Sequence, residues 1–238
     1  EITLEPHIFQ ADHGFEALRE AAESDDVIGL LLVSVEDATL DFVRGLNVPT
    51  VLVNGDDPQM HLSSVTPCNR SAATLATRYL MDLGHERILF LNRPGRRTIT
   101  RRLEGWRDAL GATYDPSLVI DVKDWTAEAA HERVTEVIQN GLEFTAIVAA
   151  GDILAAGAIT ALQEAKLSVP ADVSVVGIDG LPQGQYMSPA LTSIRIPMQA
   201  VGALSLEPFL GPCRVIHAIN AEPLITLQHL AHRLSTAP

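Results

Sequence analysis

The feature of this sequence that most limits its fold is a regular alternation of short apolar runs with segments of helical period. Six runs are continuously apolar and rich in Val, Ile and Leu, which is typical of strands buried on both faces of a parallel sheet. Their alternation with helices predicts an α/β fold with doubly wound sheets. The runs are VIGLLLVS (27–34), PTVLV (49–53), RILFLN (87–92), SLVIDV (117–122), FTAIVAA (144–150) and VSVVGID (173–179).

Several segments between these runs place their apolar residues on one face of a helix. One follows Asn69 and can end at Gly84, a second contains 130–138, and a third contains 154–165. We expect Asp152 to cap the third helix, because a short acidic side chain at that position can accept free backbone N–H groups.

Composition excludes several classes of partner. The 238 residues contain 17 Lys and Arg against 30 Asp and Glu, so the formal net charge of −13 repels nucleic acid and anionic membranes. The two cysteines, Cys68 and Cys213, are far apart in sequence, which argues against a disulfide framework and fits a reducing, cytoplasmic compartment. No apolar run is long enough to cross a bilayer.

The common catalytic and cofactor motifs are missing from the sequence. We find no GxGxxG after a strand, no Walker loop, no HExxH or GxSxG, and no Cys/His cluster with metal spacing, so we expect neither cofactor nor metal. Open α/β sheets bind ligands at the carboxyl ends of their strands. The polar or turn residues at those positions are Asn54, Asp124, Trp125, Gly151, Asp152 and Asp179.

Six stretches, in order and spacing, resemble the ligand-binding domain of LacI-family bacterial transcription regulators, from roughly Ala17 to the C-terminus. Several ordered motifs together are far more specific than any one alone. In GDILAAGAITALQEAKLSVP, Gly151 stands where the family usually has Asn. The stretches are LATRYLMDLGHERILFLN (75–92), RRLEGWRDAL (101–110), GDILAAGAITALQEAKLSVP (151–170), VPADVSVVGID (169–179), MSPALTSIRIPMQAVG (187–202) and HRLST (232–236).

The resemblance implies a periplasmic-binding-protein type I-like fold, in which two α/β lobes are joined by three crossovers and a small effector binds in the cleft. The crossovers would fall near Thr66–Pro67, Pro197 and Glu222–Pro223. The family's helix-turn-helix, hinge helix and first strand–helix unit are absent from this sequence, so operator DNA would be bound only through the missing N-terminal domain. The predicted lobes are 1–66 with 198–222, and 67–197 with 223–238.

The resemblance also implies the residues of an effector site. Asp179 matches the family's effector-binding aspartate, and Arg102 in RLEGW resembles its ligand-contacting arginine, although a turn cap and a surface arginine are the structural alternatives. Trp125 follows a strand end, where its ring can stack on a ligand rather than join the core. The other candidates, each with a purely structural alternative, are Asn54, Gly151, Asp152 and Met198.

We expect Arg102 and Asp179 to face each other across the ligand, with Trp125 beside them and Asn54 reaching in from the other lobe.

The predicted function is the effector-sensing domain of a homodimeric, cytoplasmic regulator that binds a small polar ligand such as a sugar. An exported solute receptor of the same fold is the main alternative. An α/β enzyme using Asp152 and Asp179 as an acid–base pair ranks last, and His85 is expected to pair with backbone near its turn.

Overall fold

The computed structural model describes residues 3–6, 14–33 and 35–210, which divide into two compact units. The first unit contains the chain up to Thr66 and again from Gln199, and the second contains Pro67–Met198. The predicted crossover near Glu222–Pro223 and the strand at 232–236 lie outside the described residues. The helices and strands are α1 (Gly14–Glu23), β1 (Leu30–Val33), α2 (Leu40–Arg44), β2 (Thr50–Val53), β3 (Ser63–Val65), α3 (Asn69–Asp82), β4 (Ile88–Asn92), α4 (Arg97–Leu110), β5 (Val119–Asp121), α5 (Ala127–Gln139), β6 (Ala146–Ala149), α6 (Asp152–Glu164), β7 (Ser174–Asp179), β8 (Thr192–Arg195) and α7 (Met198–Leu210).

The first unit is built on a parallel sheet of three strands in the order β1–β2–β3. Strand β2 is buried on both faces, and its alternate residues enter two different apolar clusters. Leu52 packs with α1 and α2, whereas Val51 and Val53 pack with Val201 of α7. Because side chains alternate across a strand, this arrangement requires the continuous apolar run that the sequence shows at 49–53.

The second unit contains a five-stranded parallel sheet in the order β5–β4–β6–β7–β8. From β4 the chain adds β5 on one side and β6, β7 and β8 on the other. This reversal of strand order places the connecting helices on opposite faces of the sheet and creates a switch point between β4 and β6. The predicted α/β class with doubly wound parallel sheets is therefore confirmed.

Two glycines of the second unit allow its helices to pack in close pairs. A Cβ atom on Gly105 of α4 would overlap the backbone carbonyl oxygen of Arg70 in α3. A Cβ atom on Gly157 of α6 would likewise overlap the carbonyl oxygen of Ala127 in α5. The close approach of α3 to α4 fixes the position of α4, which carries a candidate site residue on its buried face.

His85 connects the amino ends of three strands, at the edge of the sheet opposite the predicted site. Its Nδ1 lies 2.9 Å from the hydroxyl of Thr145, and its Nε2 lies 2.9 Å from the hydroxyl of Ser174. Burial lowers the pKa of this imidazole. The structural role predicted for His85 fits this position, but its ring partners are side-chain hydroxyls rather than backbone.

Candidate functional site

Arg102 is a buried cation in the middle of α4, with only 2% of its side chain exposed. Its Nε donates to the side-chain oxygen of Asn69 at 2.8 Å, and its Nη1 donates to the carbonyl oxygen of Ala150. Its Nη2 lies 3.0 Å from Oδ1 of Asp179. These partners hold the guanidinium at the carboxyl ends of β6 and β7, so Arg102 is not a surface arginine.

Asp179 is the last residue of β7, and its carboxylate meets Arg102 directly. The two side chains face each other directly, since one oxygen of Asp179 pairs with the guanidinium, and their expected arrangement around a ligand stays a prediction. The side chain remains 27% exposed. Burial raises the pKa of Asp179, and the opposite charge of Arg102 partly offsets that rise. The pair therefore places a partly exposed acceptor, the Asp179 carboxylate, beside a buried charged donor.

Trp125 lies beside this pair because Gly151 has no side chain. A Cβ atom on Gly151 would overlap the indole ring of Trp125, and it would lie 3.1 Å from Oδ2 of Asp179. The guanidinium carbon of Arg96 is 5.8 Å from the centroid of the Trp125 ring, within the range of a cation–π contact. At the strand ends, the half-buried ring of Trp125 therefore lies next to Gly151 and to the partly exposed carboxylate of Asp179.

Asp152 has a different role from the helix cap predicted for it. Gly151 occupies the N-cap position of α6, and Asp152 is the first helical residue. Its Oδ2 accepts the backbone N–H of Leu181 at 2.7 Å, and its Oδ1 accepts the hydroxyl of Ser193 at 2.5 Å. Burial raises the pKa of this carboxyl group, while the bond from Ser193 opposes the rise.

The other two candidates, Asn54 and Met198, lie in different units. Asn54 follows β2 in the first unit and has a left-handed backbone with φ of +52°. Met198 begins α7 and is 40% exposed. Their contacts with an effector, like those of the other candidates, stay predictions.

Two polar residues of the site were not recognised from the sequence. Asn69 looks like an ordinary helix start, yet it is 3% exposed and its amide orients Arg102. Ser193 lies on the short strand β8 and contacts Asp152 from 41 positions away. Contacts over such separations leave no local pattern, so only a residue-by-residue comparison with relatives could have indicated them.

Within residues 3–6, 14–33 and 35–210, no group of three or more His, Cys, Asp or Glu side chains could hold a metal ion. No helix in the same ranges is long and apolar enough to cross a membrane.

Comparison with known proteins shows the class to which the chain belongs. Residues 77–235 match the family model described as a periplasmic binding protein-like domain. The regulator MalR of Streptomyces coelicolor is 32% identical over 236 residues, an alignment that covers 93% of this chain and 68% of MalR. These matches first define the class, a periplasmic-binding-protein-like ligand-binding domain.

Solved structures give the same result. A LacI-family regulator from Mycobacterium smegmatis superposes with a TM-score of 0.75 at 29% identity, covering 82% of this chain and 73% of that one. The complex of the regulator CelR with cellobiose gives a TM-score of 0.74 at 28% identity, covering 82% and 63%. The chain belongs to the LacI family of transcriptional regulators and contains its effector-sensing domain. The regulator interpretation is thus confirmed over the solute receptor and the enzyme.

Proposed function

We propose that this domain binds a sugar or a related polyol at the group formed by Arg102, Asp179 and Trp125. The observation that carries the proposal is the direct pair between buried Arg102 and partly exposed Asp179. A carboxylate can accept two ligand hydroxyls, while the fixed fork of an arginine donates to oxygen atoms in the same plane. The neighbouring indole offers an apolar surface for the C–H face of a sugar ring. The sugar in the CelR–cellobiose complex supports this ligand class.

A thermal-shift screen tests the ligand class, since a ligand that binds only the folded state raises its melting temperature. The screen contains cellobiose, maltose, lactose, sugar phosphates and purines. We expect a neutral sugar to raise the Tm by several degrees and the purines to leave it unchanged. A purine as the sole stabilising ligand would overturn the assignment to sugars.

We further propose that effector binding in the whole regulator changes its affinity for operator DNA, with DNA contacted only through an N-terminal domain that this sequence does not include. A ligand can shift a two-state equilibrium only by binding one state better than the other. The contacts at Arg102 and Asp179 would supply that difference. We place this regulator in the cytoplasm, where its operator is accessible.

This chain alone is expected not to bind DNA with sequence specificity. Its net charge of −13 repels the phosphate backbone, so the usual electrostatic contribution to affinity has the wrong sign. Fluorescence anisotropy with labelled duplexes at 50 mM salt measures this directly. Sub-micromolar binding that distinguishes one duplex sequence from another would contradict the prediction.

The protein is also expected to form a homodimer, because a regulator that reads two related half-sites needs two-fold symmetry. Leu181 and Tyr186, which flank the short helical turn after β7, are 45% and 88% exposed and offer apolar area for a second copy. Light scattering at tens of micromolar should give twice the 25.6 kDa of one chain. Tyr186→Asp should shift the mass toward one chain, and a monomeric parent protein would contradict the prediction.

A further inference from the structure

The turn that follows β7 holds Asp179 in a backbone conformation that most residues avoid. The φ angle is +142° at Asp179 and +69° at Gly180. A residue other than glycine keeps such a conformation only when the surrounding structure holds it there. The carbonyl oxygen of Asp179 accepts the N–H of Ile196 at 3.1 Å, which fixes one side of the turn.

The next two backbone N–H groups, those of Gly180 and Leu181, are connected to the carboxylate of Asp152 by hydrogen bonds. The N–H of Gly180 donates to Oγ of Ser193 at 3.0 Å, and that hydroxyl donates to Oδ1 of Asp152 at 2.5 Å. The N–H of Leu181 donates directly to Oδ2 of Asp152 at 2.7 Å. The two peptide groups after Asp179 are therefore held by one side chain, once directly and once through a hydroxyl.

Asp152 also packs against strand β7, which ends at Asp179. Asp152 itself is only 4% exposed, and its Oδ1 fits against β7 because a Cβ atom on Gly177 would overlap it. The side chain of Asp152 thus contacts both β7, which ends at Asp179, and the turn that follows Asp179.

We propose that Asp152 is a positioning residue of the effector site, which acts on the ligand through Asp179 and Ser193 rather than by contact. This inference rests on the proposed function and deepens it. Oδ1 of Asp179 pairs with Arg102, which leaves Oδ2 to accept a hydrogen bond from a ligand. The direction in which Oδ2 points depends on the backbone conformation of the turn. If the turn is already fixed before the ligand binds, the free oxygen of Asp179 is in position and no conformational entropy of the turn is lost on binding.

Two substitutions interrupt this network while preserving side-chain size. Ser193→Ala removes the hydroxyl between Gly180 and Asp152. Asp152→Asn leaves one acceptor oxygen for two donors, so it cannot accept both the N–H of Leu181 and the hydroxyl proton of Ser193. We expect each variant to bind cellobiose at least ten-fold more weakly by calorimetry. Ser193→Thr keeps the hydroxyl and should restore the affinity to within three-fold of the parent protein.

Ser174→Ala is the matched control, because it removes a hydroxyl at the opposite edge of the same sheet, where Ser174 contacts His85. It should lower the Tm about as much as Ser193→Ala but leave cellobiose affinity within two-fold. Amide hydrogen exchange at Gly180 and Leu181, measured without ligand, should accelerate in Ser193→Ala and not in Ser174→Ala.

The inference is overturned by unchanged exchange at Gly180 and Leu181 in Ser193→Ala, whatever the protein binds. It is equally overturned if the parent protein binds cellobiose and Ser193→Ala binds it as tightly. A parent protein that binds no sugar counts instead against the proposed function, and this outcome is recognised before any variant is made.

Discussion

Replacing Asp179 with alanine is expected to weaken sugar binding by about 2–4 kcal/mol, or roughly 30- to 1,000-fold in affinity. The substitution removes a carboxylate that accepts ligand hydroxyls. It also leaves the guanidinium of Arg102, which is 2% exposed, without its charged partner. The free energy of unfolding should therefore fall as well, more than for a carboxylate that serves the ligand alone. Calorimetry with cellobiose and urea unfolding measure the two effects separately.

Asp179→Asn separates binding from folding more cleanly. The amide keeps an oxygen for Nη2 of Arg102 but loses the charge and one of the acceptor oxygens. Asp121→Asn is the control, since Asp121 also ends a strand of this sheet and accepts from Asn92 at 2.7 Å. The control should bind cellobiose within two-fold of the parent protein. Unchanged affinity in Asp179→Asn, with a large loss of stability, would mean that Asp179 serves only to neutralise Arg102.

The sequence predicted the sheets well because the strands that lie inside them are apolar on both faces. Each of the six apolar runs contains a strand, from β1 to β7. The two strands that were not predicted, β3 and β8, have the sequences SSV and TSIR. Both lie at a sheet edge, where a polar sequence is tolerated, although the other two edge strands, β1 and β5, keep an apolar run and were predicted.

The sequence predicted where the candidate site lies but not which of its side chains contact one another. Polar residues at strand ends, together with the family resemblance, indicated Arg102, Asp179 and Trp125, and the structure brings these three together. The direct pair between Arg102 and Asp179 joins residues 77 positions apart in the chain. Such a contact is set by the packing of α4 against the sheet, which no local pattern of residues expresses. The assignment of these residues to a ligand stays a prediction.

The second large effect is expected at Asp57, a carboxylate in the loop after β2 whose side chain is fully buried. It accepts the backbone N–H groups of Gln59, His61 and Leu62 at 3.0, 2.9 and 3.1 Å. Arg44 of α2 adds an ion pair, with Nη2 2.5 Å and Nε 3.1 Å from Oδ1, and Nε 3.3 Å from Oδ2. The loop therefore takes its shape from one side chain.

Asp57→Asn should lower the free energy of unfolding by about 3 kcal/mol, because an amide cannot satisfy all these donors and leaves buried N–H groups unpaired. Asp41→Asn is the matched control, since Asp41 also pairs with Arg44 but is 91% exposed. Exposed ion pairs contribute little, so the control should change stability by no more than about 0.5 kcal/mol. Urea unfolding followed by circular dichroism at pH 7 compares the two variants. Equal effects at Asp57 and Asp41 would contradict the structural role of the buried carboxylate.

The difference in the free energy of unfolding between the parent protein and Asp57→Asn should depend on pH, because it arises from the charge of Asp57. The hydrogen bonds from Arg44 hold the pKa of Asp57 far below its usual range, and the three backbone N–H groups lower it further against the opposing effect of burial. An unfolded aspartate has a pKa of about 3.9, so the stabilisation is complete above about pH 5 and is lost as the pH falls toward the folded value. Between pH 7 and pH 3 the gap between the parent protein and Asp57→Asn should therefore shrink by about 1 kcal/mol. Titrations of the other carboxylates cancel in this difference, because both proteins share them. A gap that stays constant down to pH 3 would show that shape and hydrogen bonding, rather than ionisation, account for the contribution of Asp57.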